Sequence, residues 1–163
     1  NESDNIRRAF LFCCYSGLRF VDAKALTFGN VDYANNLLSF DQKKTTGHAE
    51  SSWVYINLNT TLLSLIGPAP EDGNRGASIF NLATYESCTK ALRRWVNRAG
   101  INKPVTWHSG RHSFGTNLAA NNINPVVIKS LMGHSSLKYT ERYVRAAEKM
   151  KVDALNSLPD LKL

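Results

Sequence analysis

Along these 163 residues the apolar side chains switch from helical to strand spacing in one place only, and that restricts the fold more than any other feature. Leu37–Gln42 and Ser52–Leu58 are runs of aromatic and branched residues of the kind that form strands. The polar turn Lys43–Glu50 between them predicts a hairpin with two lysines at one shoulder. Helical patterns fill the rest, so the expected fold class is mainly α with a small antiparallel β-sheet (α+β).

Ser3 or Asp4 caps a first helix reaching about Tyr15, with Ile6, Ala9, Phe10 and Cys13 at helical spacing and Gly17 placed to end it. A short second helix carries Arg19 near its start, turns Val21, Ala25 and Leu26 inward, and sets Asp22 beside Arg19. After the hairpin, Asn59 or Thr60 caps a short helix ending at Gly67, and Pro68–Gly76 reads as a flexible surface loop. Tyr85–Ala99 aligns Cys88, Ala91, Leu92, Trp95 and Val96 in one stripe, keeps Arg93, Arg94 and Arg98 largely off it, and stops at Gly100. Beyond Pro104 a helix spans Ser109–Asn121, and Pro125 opens another that reaches Met132. Ser135 or Ser136 caps a helix containing Tyr139 and Tyr143, and Val152, Leu155 and Leu158 share a helical stripe in the tail.

The length is one domain's worth and long enough to bury a core. The expected compartment is a reducing cytoplasm. Three cysteines, two of them adjacent, make no disulfide framework, and the polar opening Asn1-Glu2-Ser3-Asp4 does not read as a signal peptide. The longest apolar run, Ala9–Tyr15, is too short to cross a bilayer. The net charge of +7 is unevenly spread: Arg93 to Lys151 holds eleven Lys/Arg against Glu141 and Glu148, a local +9 that leaves −2 elsewhere. Cations gathered where three of the histidines also lie point to a polyanionic partner, nucleic acid.

That segment contains Trp107-His108-Ser109-Gly110-Arg111-His112-Ser113-Phe114-Gly115-Thr116, then Leu131-Met132-Gly133-His134 and Tyr143. At a helix start, His108 and Arg111 lie three apart and face the same way, beside unpaired N–H groups and the positive dipole end. This is a setting for a phosphate. Singly, each motif has an ordinary explanation. Gly17-Leu18-Arg19 is a common helix end, Lys43 and Lys44 are edge charges, and His134 can favour a helix C-terminus.

Taken in order, Arg19, the hairpin lysine, His108-x-x-Arg111, His134 and Tyr143 resemble the catalytic domain of the tyrosine recombinases, the phage-type integrases. The matching segments are Tyr15-Ser16-Gly17-Leu18-Arg19 with Asp22 and Leu26, His108–Phe114, and Leu131–Ser136 with Tyr143 nine residues after His134. The resemblance runs from about Ile6 to Arg145 and implies that 1–163 is a single catalytic domain. The N-terminal core-binding, DNA-clamping domain usual in the family is then absent from this chain.

The resemblance implies site-specific cleavage and rejoining of DNA through a 3′-phosphotyrosyl intermediate, for integration or excision of a mobile element. Arg19 and Arg111 would hold the non-bridging phosphate oxygens through charge-assisted bonds that strengthen as charge develops. His108 and His134 would add donors, His108 also being a candidate proton acceptor. Lys44, with Lys43 as the alternative, would be the general acid for the departing 5′-oxygen, and Tyr143 the nucleophile. Neither metal nor nucleotide cofactor is expected, because the phosphotyrosyl link keeps the phosphodiester bond energy. Arg93, Arg94, Arg98, Lys129, Lys138, Arg142 and Arg145 are expected to grip phosphates of double-stranded DNA non-specifically. The tail's apolar stripe either folds back on the chain's own core or, as the resemblance implies, packs on a neighbouring protomer in a tetramer on paired DNA sites, with accessory DNA-bending proteins as further partners and no membrane involved.

Three other readings compete. His108 and His112, four apart, with His134 as a third ligand, would suit a metal-dependent hydrolase, although Ser109 stands where the zinc-protease pattern has Glu. A catalytically inactive DNA-binding domain of the same family would use the same basic face. A type IB topoisomerase would share related chemistry but relax DNA without exchanging partners.

Overall fold

The fold, obtained as a computed structural model, describes residues 4–42, 53–134 and 136–157. It is mainly helical with one three-stranded antiparallel sheet. Two compact units divide it, Asn1–Arg111 and His112–Leu163.

In the first unit α1 (Asp4–Ser16) is the hub, packing on α2 (Phe20–Ala25), α3 (Thr60–Ile66) and α4 (Tyr85–Arg98). Its Phe12 is fully buried and lies 5.3 Å from the Phe80 ring, among Leu26, Leu38, Ile66 and Leu92. Burying each such side chain is worth about 1.5–3 kcal/mol, so this cluster is the main support of the unit. Gly17 ends α1 with φ 72°, a left-handed conformation that costs glycine nothing, and its N–H donates to Cys13 O at 3.0 Å. Arg8 donates to Leu65 O at 2.8 Å and Ile66 O at 2.6 Å, setting a cation against carbonyls left unpaired at the end of α3. Asn59 caps the other end of α3 by accepting from Leu62 N–H at 2.9 Å.

The sheet runs β1-β2-β3, with β1 (Val31–Asp32), β2 (Leu37–Asp41) and β3 (Trp53–Asn57). Leu38 and Phe40 face the core at alternate positions, and Leu38 stands opposite Val31 on one side and Ile56 on the other. The two long strands match the expected ones. The turn carrying Lys43 and Lys44 lies outside the described residues.

One local expectation is corrected: Val21 and Ala25 are exposed, because Phe20, Ala23 and Leu26 take the inward positions in so short a helix. Trp95 is half-buried and packs against the core. Pro68–Gly76 is a largely exposed loop, held at one end where Arg75 donates to Val31 O at 2.6 Å and its carbonyl accepts from Gly29 N–H at 2.6 Å.

Helix α5 (Trp107–Ala120) begins two residues before the expected Ser109 and crosses the boundary between the units. Pro104 disfavours an earlier start by restricting the residue before it. Ser109 Oγ accepts from Thr106 N–H at 3.0 Å and sets the first turn.

In the second unit α5 is followed by α6 (Pro125–Leu131) and α7 (Lys138–Asn156). Asn124 caps α6 by accepting from Val126 N–H at 2.8 Å, with Pro125 in the first turn. Ala119, Ile128, Met132, Tyr143 and Ala147 form the core. Contrary to the expected serine cap, Leu137 immediately precedes α7; Ser136 acts one position further out, accepting from Lys138 N–H at 3.2 Å, and Ser135 lies outside the described residues. Val152 and Leu155 continue α7 and are 54% and 68% exposed, while Leu158 lies outside the described residues. Among the described residues no helix is long and apolar enough to cross a membrane.

Candidate active site

The start of α5 is fixed by Trp107, which is 2% exposed and meets Phe10 at 5.7 Å and Phe20 at 4.8 Å. That anchor presents His108, exposed in the first turn, and Arg111, which is 4% exposed one turn later. Arg111 Nη1 donates to Gly17 O at 2.6 Å, tying the His-x-x-Arg helix to the segment that carries Arg19. A short charge-assisted bond of this kind holds a guanidinium in one orientation.

Arg19 precedes α2, and its Nη1 is buried without a hydrogen-bond partner among the described residues. A buried cationic donor left unsatisfied is costly, so it is an atom prepared for an incoming acceptor. Asp22 lies between the arginines electrostatically. Burial raises its pKa above the ordinary carboxylate value, while the hydrogen bond from Gln42 Nε2 (3.3 Å) and the Arg19 and Arg111 charges pull it back. Arg19, Asp22 and Arg111 therefore form one cluster, with Asp22 beside Arg19 as expected. Gln42, which donates to Asp22 Oδ2 while Oδ1 stays buried without a hydrogen-bond partner among the described residues, carried no signal in the sequence.

The second unit assembles the other residues. Tyr143 is 4% exposed and its ring rests on Gly115, where a Cβ would come within 2.8 Å of Cδ2 and 2.9 Å of Cδ1 and Cε1. Its Oη lies 3.2 Å from His112 Nδ1. The His134 ring lies parallel to the tyrosine ring at 6.0 Å, and its Nδ1 is 3.0 Å from Oγ1 of the fully buried Thr140. Gly133 (φ 60°) permits the turn after α6, and His134 N–H donates to Lys129 O at 3.0 Å, which aims the imidazole. Arg142 Cζ lies 5.8 Å from the centroid of the Tyr143 ring. Tyr139, by contrast, is 58% exposed, with its ring 6.1 Å from that of His134.

Sequence reasoning gave His112 no part in strand transfer and did not single out Gly115. The available signal was their i, i+3 spacing on α5, which places both on one helix face. Arg142, expected on phosphates, is exposed and also lies over the tyrosine ring. Arg93, Arg94, Arg98, Lys138 and Arg145 are exposed and Lys129 is half-buried. Arg145 pairs with Glu141 at 3.4 Å, a contact worth only about 0.3–0.5 kcal/mol at the surface, so a phosphate can displace it. Among the described residues no three His, Cys, Asp or Glu side chains group to hold an ion, and His112 and His134 both contact Tyr143.

The Phage integrase family model matches residues 2–150. The chain is 33% identical over 92 residues to a tyrosine recombinase of Pseudothermotoga lettingae, an alignment covering 56% of this chain and 32% of that protein. It is 25% identical over 153 residues to tyrosine recombinase XerD of Pseudomonas putida, covering 90% and 51%. The chain thus spans about a third to a half of these relatives. Among solved structures, the catalytic domain of bacteriophage HP1 integrase matches with a TM-score of 0.61 at 23% identity, covering 98% of this chain and 94% of that one. XerH recombinase bound to palindromic difH substrate matches with a TM-score of 0.68 at 19% identity, covering 96% and 48%. The shared fold of these catalytic domains, and a family match that takes in both the arginine cluster and the tyrosine, place this chain in the phage integrase family, the tyrosine recombinases.

Proposed function

We propose that this chain is the strand-transferring part of a site-specific DNA recombinase, acting in the cytoplasm on double-stranded DNA in the integration or excision of a mobile element. Arg19 and Arg111 hold the non-bridging oxygens of the scissile phosphate, and His108 and His134 donate to the charge that develops there. Tyr143 attacks phosphorus to give a 3′-phosphotyrosyl link, and Lys44 protonates the leaving 5′-oxygen. A 5′-hydroxyl from a second strand reverses the step, with no metal or nucleotide cofactor involved. Arg93, Arg94, Arg98, Lys129, Lys138, Arg142 and Arg145 supply phosphate grip, which falls steeply with salt. The exposed Val152 and Leu155 of α7 favour a role in tetramer assembly on paired sites, with accessory DNA-bending proteins as additional partners.

The observation that carries this reading is the Arg19–Asp22–Arg111 cluster, with a buried guanidinium nitrogen awaiting an acceptor. A nicked suicide substrate, from which the cleaved strand diffuses away, provides the test. Covalent protein–DNA product is expected from the wild type and from Tyr139→Phe, and none from Tyr143→Phe. Product that persists in Tyr143→Phe and vanishes in Tyr139→Phe would assign the wrong tyrosine, and DNA binding without any product would leave a binding domain.

A further inference from the structure

We propose that His112 is the proton acceptor for the nucleophile, an inference that rests on Tyr143 being that nucleophile. The argument begins with position. His112 and Gly115 lie one turn apart on α5, one touching the hydroxyl of Tyr143 and the other flooring its ring. With an alanine at 115 the ring could not lie where it does, so the helix face that admits the ring is also the face that places the imidazole at Oη. An Nδ1–Oη distance of 3.2 Å is within the range for a proton donor and its acceptor.

Two roles are open to the His112 ring, and chemistry chooses between them. With the proton on Nε2, Nδ1 accepts from the tyrosine O–H; with it on Nδ1, His112 would donate and hold the phenol in its unreactive form. In its neutral form an imidazole has one ring nitrogen free to accept a proton, which is what a base at this position requires. The neighbours that bear on the pair within the same unit are the His134 ring, parallel to the phenol, and the Arg142 guanidinium over it. The cation favours phenolate and disfavours an imidazolium nearby, so proton transfer is drawn forward only as the phenolic oxygen bonds to phosphorus.

In the step itself the Tyr143 Oη–P bond forms and the P–O5′ bond breaks. The phenolic proton passes to His112 Nδ1, giving imidazolium, and the 5′-oxygen leaves as a hydroxyl with a proton from the general acid. On rejoining, a 5′-hydroxyl attacks phosphorus and gives up its proton, and His112 returns its own to Tyr143. His112 is therefore a catalytic residue, and His108 acts as a phosphate donor alone.

The experiment is single-turnover cleavage of the suicide substrate as a function of pH, in the wild type, His112→Asn, His112→Ala and His108→Gln. Asparagine places an amide where Nδ1 stands, so it can hold the hydroxyl without taking its proton. The expected result is a wild-type rate that falls on an acid limb as the base is protonated. Both His112 variants should lose that limb and about 10²–10⁴-fold in rate. His108→Gln should slow the reaction yet keep the limb, and added imidazole should partly restore His112→Ala. Equal DNA affinity and an unchanged unfolding midpoint certify the variants; should His112→Ala unfold, His112→Asn alone decides. A limb that survives in His112→Asn and disappears in His108→Gln would overturn the proposal, as would wild-type rates in His112→Asn. Wild-type protein that forms no Tyr143-dependent product would instead remove the nucleophile on which the inference stands.

Discussion

Replacing Gly115 by alanine tests whether the tyrosine ring truly rests on the backbone of α5. In an open helix interior this change stabilises by up to about 1 kcal/mol, through lost chain entropy in the unfolded state. Here the new methyl would sit 2.8–2.9 Å from three ring carbons, well inside normal contact. The ring or the helix must therefore give way, and overpacking of a buried site costs about 1–3 kcal/mol. Opposed to the propensity gain, the net effect in the wild type is a loss of about 0–2 kcal/mol. With Tyr143→Ala already in place nothing opposes the methyl, and the same substitution should be stabilising. The coupling between the two positions is then about 1–3 kcal/mol. Urea denaturation of the four proteins of this cycle, followed by far-UV circular dichroism, measures it without DNA. A coupling below about 0.5 kcal/mol, the level expected of independent sites, would refute the seat and with it the positioning of Oη against His112.

Three further outcomes follow from the first unit. Substituting Met for Arg111 removes a buried charged bond to Gly17 O and should lower stability by about 1.5–3 kcal/mol in thermal unfolding, whereas an unchanged midpoint would mean that the 2.6 Å contact is not made. Asp22 has its folded-state pKa raised by burial, so its ionisation weakens the fold as pH rises from the ordinary value of 3.8 towards the raised one; the stability gained by Asp22→Asn relative to wild type should grow across that window and then level off. A gain that does not vary with pH would remove burial as the cause. The Cys14 thiol, pushed up from 9.0 to about 11 by burial, holds roughly 100-fold less thiolate at pH 8 than an ordinary cysteine and should alkylate correspondingly slowly until urea is added. Reaction at the rate of a small free thiol would contradict that burial.

Much of the frame was legible because its signals are local. The stripe of Cys88, Ala91, Leu92 and Val96 specified α4, Gly17, Gly67 and Gly100 marked helix ends, and Asn59 announced a cap. The His108-x-x-Arg111 spacing likewise survived, because it depends only on one helical turn. What escaped depends on partners distant in sequence. Strand β1 is two residues long and shows no alternation, so only its pairing with Leu37 and Leu38 defines it. Arg75 looked like part of a loose acidic loop, yet backbone groups at Gly29 and Val31 hold it. The spacing of His112 shows only which face of α5 it occupies, and its contact is defined when α7 brings a hydroxyl to within 3.2 Å.

The unbroken course of α7 has a mechanical consequence. Tyr143 and Leu155 are twelve positions apart on one helix, which at 1.5 Å per residue is a rod about 18 Å long, with the phenolic oxygen near one end and bare apolar side chains near the other. Tilting such a rod by ten degrees about its tail would carry the tyrosine roughly 3 Å, about the length of the contact with His112. With Tyr143 as the proposed nucleophile, a partner seated on Val152 and Leu155 would hold a lever on the chemistry from the opposite end of the helix.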